Sequence, residues 1–118
     1  MILVDTSIWI DHLNNSHDDL IKLLNSGKVC THPFIIGELS CGNISNRLEI
    51  LNLLKALPRT EPAFEEEVFT LVENKKLYGI GLGFVDVNLI ASALLHNVKI
   101  WTQDKALKKE AKKLNIHK

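Results

Sequence analysis

Short apolar runs alternate with helix-length segments along the whole chain, and this alternation limits the possible folds more than any other feature. The candidate strands are residues 2–4, 28–32 and 98–102. Each is followed by a segment with helical spacing of its apolar residues. Such alternation is typical of a parallel sheet that is covered by helices on both faces. We therefore predict an α/β fold with three layers, α/β/α, around a central parallel sheet.

Local signals set the expected helix boundaries. Pro33 suits the first position of a helix, and Gly27 is a natural stop for the helix before it. A helix over residues 62–78 has its acids early and Lys75 and Lys76 late, which matches the helix dipole. The segments 57–62 and 115–118 are candidates for short edge strands. The predicted helices are a first one after Thr6 or Ser7, then 17–27, 33–42, 45–57, 62–78, 85–97 and 104–114.

Length and composition narrow the class of protein. The 118 residues suit one domain, 1–118. No run approaches the roughly 20 apolar residues of a membrane span, and the start does not resemble a signal peptide. We therefore expect a cytoplasmic protein that does not contact a membrane. Cys30 and Cys41 are expected to be reduced, mostly buried thiols without a metal role.

Charge is balanced overall but uneven along the chain. The 14 basic and 14 acidic residues cancel, which argues against a protein that coats nucleic acid without specificity. Acids concentrate in residues 61–73, whereas residues 105–118 carry six lysines and only one acid. Lys105, Lys108, Lys109 and Lys112 recur at helical spacing. They indicate either a phosphate-binding strip or an ordinary solvated face.

Four acids follow predicted strands or open predicted helices: Asp5, Glu38, Asp86 and Asp104. The carboxyl ends of parallel strands meet at one edge of a sheet, which is where such folds place their chemistry. The three aspartates could instead simply cap helices. Glu38 lies in the apolar segment FIIGELS, where a buried unpaired glutamate would be unusual. Together the four predict a carboxylate site at that edge.

A cluster of carboxylates favours a hard divalent cation. Mutual repulsion should raise at least one pKa unless Mg²⁺ or Mn²⁺ relieves it. The histidines 12, 17, 32, 96 and 117 lack zinc-site spacing, so we expect them at the edge of the core or on the surface. A carboxylate site that retains water suits phosphate ester chemistry.

Four segments, in order, resemble the motifs of the PIN domain family and, more narrowly, of its VapC-type toxins. They are MILVDTSIWIDHL, IIGELSCG, GIGLGFVDVNLIASALL and KIWTQDKAL. The resemblance implies that Asp5, Glu38, Asp86 and Asp104 are catalytic. Asp5, Asp86 and Asp104 would hold the metal, and Glu38 would ligate it or position the attacking water. Thr6 or Ser7 and Thr102 match supporting hydroxyls, and Asn88 lies where some relatives carry a further acid.

The same resemblance implies an activity and partners. The activity is Mg²⁺- or Mn²⁺-dependent endoribonuclease cleavage of structured RNA, such as transfer or ribosomal RNA, which inhibits translation. The partners are a VapB-like antitoxin, whose C-terminal tail lies across the acidic pocket, and a second copy in a homodimer. The alternative is a catalytically inactive PIN domain that only binds RNA or a partner. Receiver and dehalogenase-like phosphatase folds fit poorly, because Asp5 has no adjacent acid and Ser7 stands where the phosphatase needs Asp.

Three further features have competing interpretations. Trp9 and Trp101 could stack bases, although the apolar neighbours of Trp101 favour packing in the core. The leucine-rich helix 48–57 could form a groove for a dimer or an antitoxin, or could simply be buried. The glycines of GIGLG lack dinucleotide-binding spacing and are expected to allow a tight turn before Asp86.

Overall fold

The computed structural model describes all 118 residues and has an α/β fold with three parallel strands and seven helices. The helices surround the sheet in the three-layer α/β/α arrangement that the alternation predicts. In chain order the elements are β1 (Ile2–Val4), α1 (Thr6–Asn15), α2 (Asp18–Asn25), β2 (Val29–Cys30), α3 (Pro33–Ser40), α4 (Arg47–Ala56), α5 (Glu65–Lys75), α6 (Phe84–His96), β3 (Lys99–Trp101) and α7 (Lys105–Lys113).

The N-terminal strand β1 lies in the centre of the sheet. The strand order is β2-β1-β3, and both pairings are parallel. Leu3 lies opposite Cys30 on one side and Ile100 on the other. The central strand is apolar throughout because it is covered on both faces. All three strands therefore end at the same edge of the sheet.

The two predicted edge strands are reduced to single bridges. Thr31 pairs with Arg59 beyond β2, and Ile100 pairs with His117 beyond β3, both in parallel orientation. A backbone hydrogen bond of 2.8 Å from Thr31 N to Pro58 O fixes the first. Each bridge adds only one residue pair, so the sheet proper keeps three strands.

Helix α5 starts later than its sequence predicts. The sequence predicts a start at Pro62, but the helix begins at Glu65. The reason is that Glu67 Oε1 accepts a 2.8 Å hydrogen bond from the backbone N–H of Phe64. That contact fixes the first turn after Phe64, as a capping glutamate does. At the other end Lys76 adopts a left-handed conformation with φ 55°, which stops the helix.

A single cluster of 24 buried apolar residues forms the core. The sequence expectations about the burial of His32 and Cys41 are wrong. His32 is fully buried rather than peripheral, because Ser92 and the backbone of α3 satisfy both of its ring nitrogens. Cys41 is exposed, because it follows the end of α3. Cys30 is buried as expected, and burial raises the pKa of its thiol.

The tryptophans and the leucine-rich helix are divided between core and surface. Trp9 is buried, whereas Trp101 is half-buried between the ring of His17, at 5.0 Å, and the ammonium group of Lys118, at 4.1 Å. On α4, Leu51 and Leu54 are buried, while Leu48 and Leu53 are exposed. A groove of about 280 Å³ opens beside Leu53; Trp9, His12, Leu13, Leu24, Ile50, Leu54 and Leu57 complete its lining.

The helices are short in relation to a lipid bilayer. None of them combines the length with the apolar character that crossing a membrane would require.

Candidate active site

Asp5 occupies the carboxyl end of the central strand, where it is 7% exposed. It is the first residue before α1, yet its side chain makes no capping hydrogen bond. Instead, Oδ2 accepts hydrogen bonds from Ser7 Oγ at 2.9 Å and from Thr102 Oγ1 at 2.7 Å. Thr102 follows β3, so the two hydroxyls join adjacent strand ends. These two hydrogen bonds hold the Asp5 carboxylate in place at the edge of the sheet, where it does not cap α1.

The same two hydroxyls fix the chain that leads to Asp104. Ser7 Oγ accepts from the backbone N–H of Gln103, and Thr102 Oγ1 accepts from that of Asp104, both at 3.0 Å. Asp104 Oδ1 accepts from Leu107 N at 2.9 Å, so this aspartate does cap α7. Capping uses one oxygen only; Oδ2 has no protein partner, and the residue is exposed.

Asp86 lies in the first turn of α6, near the other two aspartates. Its Oδ2 accepts a 2.9 Å hydrogen bond from the backbone N–H of Gly83. Burial raises the pKa of Asp86, the Gly83 hydrogen bond opposes this rise, and the negative charges of Asp104 and Asp5 add to it. These charges act on Asp86 because the three strand and helix ends converge.

Glu38 is exposed, so the burial expected from its apolar segment is wrong. Helix α3 directs Ile35, Ile36 and Leu39 to the core, and this places Glu38 on the opposite, solvated side. The residue nevertheless reaches the same edge of the sheet. Thr6 Oγ1, one residue after Asp5, donates a 2.8 Å hydrogen bond to Glu38 Oε1.

All four carboxylates share one arrangement: one oxygen is held by a donor from the protein, and the other has no protein partner. None of the four forms an ion pair with a lysine, arginine or histidine. The negative charges of Asp104 and Asp5 act on Asp86, and no basic side chain is paired with any of these acids to offset the repulsion. The protein instead fixes four acids and leaves an oxygen of each available.

This donor set suits a hard divalent cation. Carboxylate oxygens are the ligands that Mg²⁺ and Mn²⁺ prefer. Burial is the main cause of the raised pKa of Asp86, and a cation would relieve the repulsion from Asp104 and Asp5 that adds to it. No three His, Cys, Asp or Glu side chains lie close enough to form a ready-made metal cluster. Binding would therefore need rotation of the free carboxylate oxygens toward the ion.

The predicted supporting residues divide into two groups. Thr6, Ser7 and Thr102 all donate to the acids, as described above. Asn88 does not join them: it is buried, and its Nδ2 donates to Phe84 O within α6 at 2.9 Å. The four predicted lysines of α7, at positions 105, 108, 109 and 112, are all exposed.

Two residues of the site were not predicted from the sequence. Gly83 and Gln103 contribute backbone N–H groups, to Asp86 and Ser7 respectively. The spacing of Gly83 and Asp86, three residues apart before an apolar run, is a capping signal that could have revealed the first. The second could not be recognised from the sequence, because almost any residue type at position 103 could donate its backbone N–H.

The chain is similar to known proteins in sequence and in fold. Residues 2–113 match the PIN domain family. The chain is 44% identical over 109 residues to Ribonuclease VapC32 of Mycobacterium tuberculosis, in strains CDC 1551 / Oshkosh and ATCC 25618 / H37Rv, covering 92% of this chain and 88% of the relative. The crystal structure of PAE2754 from Pyrobaculum aerophilum aligns with a TM-score of 0.61 at 17% identity, over 92% of this chain and 78% of that one. The chain therefore belongs to the PIN domain family, and within it to the VapC-type proteins.

Proposed function

We propose that this protein is a Mg²⁺- or Mn²⁺-dependent endoribonuclease, the toxin of a VapBC toxin–antitoxin pair, which cleaves structured RNA such as transfer or ribosomal RNA. Its relatives carry the name ribonuclease. The observation that carries the proposal is the set of four fixed carboxylates, each with one unused oxygen and none paired with a cation. An inactive binding module would have no need to maintain that repulsion.

Asp5, Asp86 and Asp104 would hold the metal. When bound, such an ion offsets charge on the phosphate and makes water more acidic. Ser7 and Thr102 hold Asp5 in a fixed orientation, and Gly83 does the same for Asp86. Asp104 is likewise held at one oxygen by the backbone N–H of Leu107. Only the free oxygen of each carboxylate would therefore have to turn toward the ion.

Glu38 would accept a proton from the attacking water. Thr6 occupies Oε1, which leaves Oε2 as the accepting atom. The residue is exposed, so water and RNA can reach it. Attack on phosphorus in line with the leaving 3′-oxygen would leave a 5′-phosphate and a 3′-hydroxyl on the products.

Three further parts of the proposal concern partners and location. The VapC-type membership supports a VapB-like antitoxin, a homodimer and work in the cytoplasm. The apolar groove beside Leu53 has the lining that an apolar stretch of an antitoxin would need.

The activity is tested by incubating the pure protein with total bacterial RNA in Mg²⁺, in Mn²⁺ and in EDTA. We expect cleavage with either metal and none in EDTA. Cleavage in all three, or in none, would contradict the proposal. RNA that is bound but intact in the presence of metal would support the inactive binding module instead.

The matched variant is Asp86→Asn. It keeps an oxygen for the Gly83 N–H but removes a charge that the folded state disfavours, as the raised pKa of Asp86 shows. We expect cleavage to fall by more than ~100-fold, beyond the usual effect of a residue that only supports a metal ligand. We also expect the melting temperature without metal to stay level or rise. A steep fall in that temperature would mean that Asp86 serves stability rather than catalysis.

A further inference from the structure

Aromatic side chains lie exposed on both sides of the glycine loop that precedes Asp86. Tyr78 is 58% exposed and Phe84 is 56% exposed. Between them the chain turns through Gly79 and Gly81, whose φ angles are 68° and 88°. An open depression of about 300 Å³ separates the two aromatic residues. We call Tyr78, Phe84 and this depression the aromatic platform.

The aromatic platform adjoins the proposed active site. Phe84 is the first residue of α6, two positions before Asp86, and Gly83 donates directly to the Asp86 carboxylate. On its other side the loop touches the start of α7. A Cβ placed on Gly81 would lie 3.4 Å from Ala106 Cβ, the residue after Lys105. The loop therefore joins the acidic edge to the lysine-rich helix.

Three lysines lie near the aromatic platform, which Glu73 and Asp86 border in the sequence. Lys75 and Lys76 precede Tyr78, and Lys105 opens α7; all three are exposed and none forms an ion pair. No acid occurs between residues 74 and 85. Aromatic faces next to free lysines suit a single strand of nucleic acid, whose bases stack and whose phosphates bind cations.

The ring of Phe84 also contacts a second exposed aromatic ring, that of Phe69, which is 51% exposed. Its centroid lies 6.3 Å from that of Phe69 on α5, with the ring planes tilted by 46°. This contact limits the motion of Phe84, so less side-chain freedom would be lost when a base stacks on it.

We propose that Tyr78 and Phe84 stack against unpaired bases of the RNA substrate and thereby position the adjacent phosphate at the carboxylates. This inference rests on the proposed ribonuclease function. It makes the two aromatic residues positioning residues, with a preference for single-stranded or loop nucleotides next to the cleaved bond.

Binding is tested in the Asp86→Asn background, in which the RNA stays intact. The probe is a fluorescein-labelled single-stranded oligoribonucleotide, and the readout is fluorescence anisotropy. We expect Tyr78→Ala and Phe84→Leu each to weaken binding by about 5- to 150-fold, which is the range for one base–aromatic stack. Tyr78→Phe keeps the ring and should bind as the parent does.

Phe64→Ala is the matched control. Phe64 is 80% exposed and directly precedes α5, whose two ends lie about 16 Å apart at 1.5 Å per residue, whereas Tyr78 follows the other end of that helix. It should leave affinity unchanged. Equal loss in Phe64→Ala, or no loss in Tyr78→Ala and Phe84→Leu, would overturn the proposal. A change in the oligomeric mass of these two variants, measured by light scattering, would also overturn it, because the rings would then belong to a protein interface.

Cleavage assays in the otherwise unaltered protein separate this proposal from the one it rests on. With Mg²⁺ we expect the two substitutions to raise KM more than they lower kcat, because stacking positions the substrate without touching the reacting atoms. A kcat loss at constant KM would contradict the stacking role. If the unaltered protein does not cleave RNA at all, the ribonuclease function fails, while the anisotropy series still decides whether the rings stack.

Discussion

At the scale of single residues, His32 joins the two helices that carry Glu38 and Asp86. Its Nδ1 accepts from the backbone N–H of Phe34 at 3.0 Å, which caps α3. Its Nε2 lies 3.0 Å from Ser92 Oγ on α6. Because Nδ1 accepts, the proton of the neutral ring belongs on Nε2, where it is donated to Ser92. A second proton would oppose the capping contact.

This arrangement predicts acid sensitivity. Burial, and then the charges of Arg59 and His96, lower the pKa of His32 to about 4 from 6.5. Between pH 6.5 and pH 4 the unfolded chain therefore binds a proton at His32 that the folded chain does not bind. The free energy of unfolding is largest above pH 6.5 and falls as the pH drops toward 4. We expect a loss of about 3 kcal/mol at pH 4 from this residue.

Denaturant titrations between pH 7 and pH 4 measure the loss. His32→Asn is the comparison, because Asn can still cap α3 but cannot be protonated. It should be less stable at pH 7, by about 2 kcal/mol. The difference between the two proteins should shrink as the pH falls and reverse by about 1 kcal/mol at pH 4. A difference that stays constant would rule out His32 as the source.

The position of the acids at one edge of the sheet could be predicted from the sequence, whereas their burial and their contacts could not. Asp5 and Asp104 follow strands directly, so their place at the sheet edge follows from topology. Glu38 was placed at the correct edge, but its burial was misjudged, since exposure depends on which side of α3 faces the core. His32 was misjudged for a related reason: its partner Ser92 lies 60 residues away in the chain.

At the scale of elements, helix α7 has two charged faces with different surroundings. At the outer edge of the sheet, burial is the main cause of the lowered pKa of His117, and the charges of Lys108 and Lys112 lower it further. Lys105, in contrast, lies at the start of α7, between Asp104 and the glycine loop that precedes Asp86. The lysines of α7 either bind phosphates or form a solvated face. The best positions at which to decide between these interpretations are Lys105 and Lys109, which lies four residues further along the helix.

The salt dependence of RNA binding distinguishes these interpretations. We expect Lys105→Ala with Lys109→Ala to reduce the slope of log affinity against log salt by roughly 1.4, about 0.7 for each lost phosphate contact with a single strand. Lys22→Ala with Lys28→Ala removes equal charge near the amino ends of the strands and should leave the slope unchanged. Identical slopes in both double variants would favour a solvated face.

Element types followed from apolar spacing, whereas element ends depended on particular contacts. The stop of α2 near Gly27 and the start of α3 at Pro33 could be predicted, because those residue types restrict the backbone directly. The start of α5 could not, since it depends on the bond between Glu67 and Phe64. Single bridges at Arg59 and His117 lack any periodic pattern that could have separated them from full strands.

At the scale of the whole molecule, the sheet depends on pairing between distant parts of the chain. Strand β1 pairs with β3, and the hydrogen bond from Thr102 to Asp5 joins residues 97 positions apart. Behind this pairing lie Ile100, Leu107 and Ala111, all completely buried. The final segment thus completes both the core and the acidic edge.

We accordingly expect a fragment of residues 1–96 to lack a cooperative thermal transition, measured by circular dichroism. A chain that ends at Ile116 is the matched comparison. It loses the His117 bridge and the hydrogen bond from Lys118 N to Ile100 O, but keeps the one from Ile100 N to Ile116 O, so its transition should remain cooperative. Cooperative melting of the shorter fragment would show that β3 and α7 are dispensable for the core.

The central position of β1 has a consequence for synthesis. The first strand to leave the ribosome must wait for the last one, because its neighbour β3 is translated only at residues 99–101. The nascent chain therefore cannot bring Asp5, Thr102 and Asp104 together until β3 and the residues that follow it have been made. The enzyme proposed here could attack RNA only once that segment had left the ribosome.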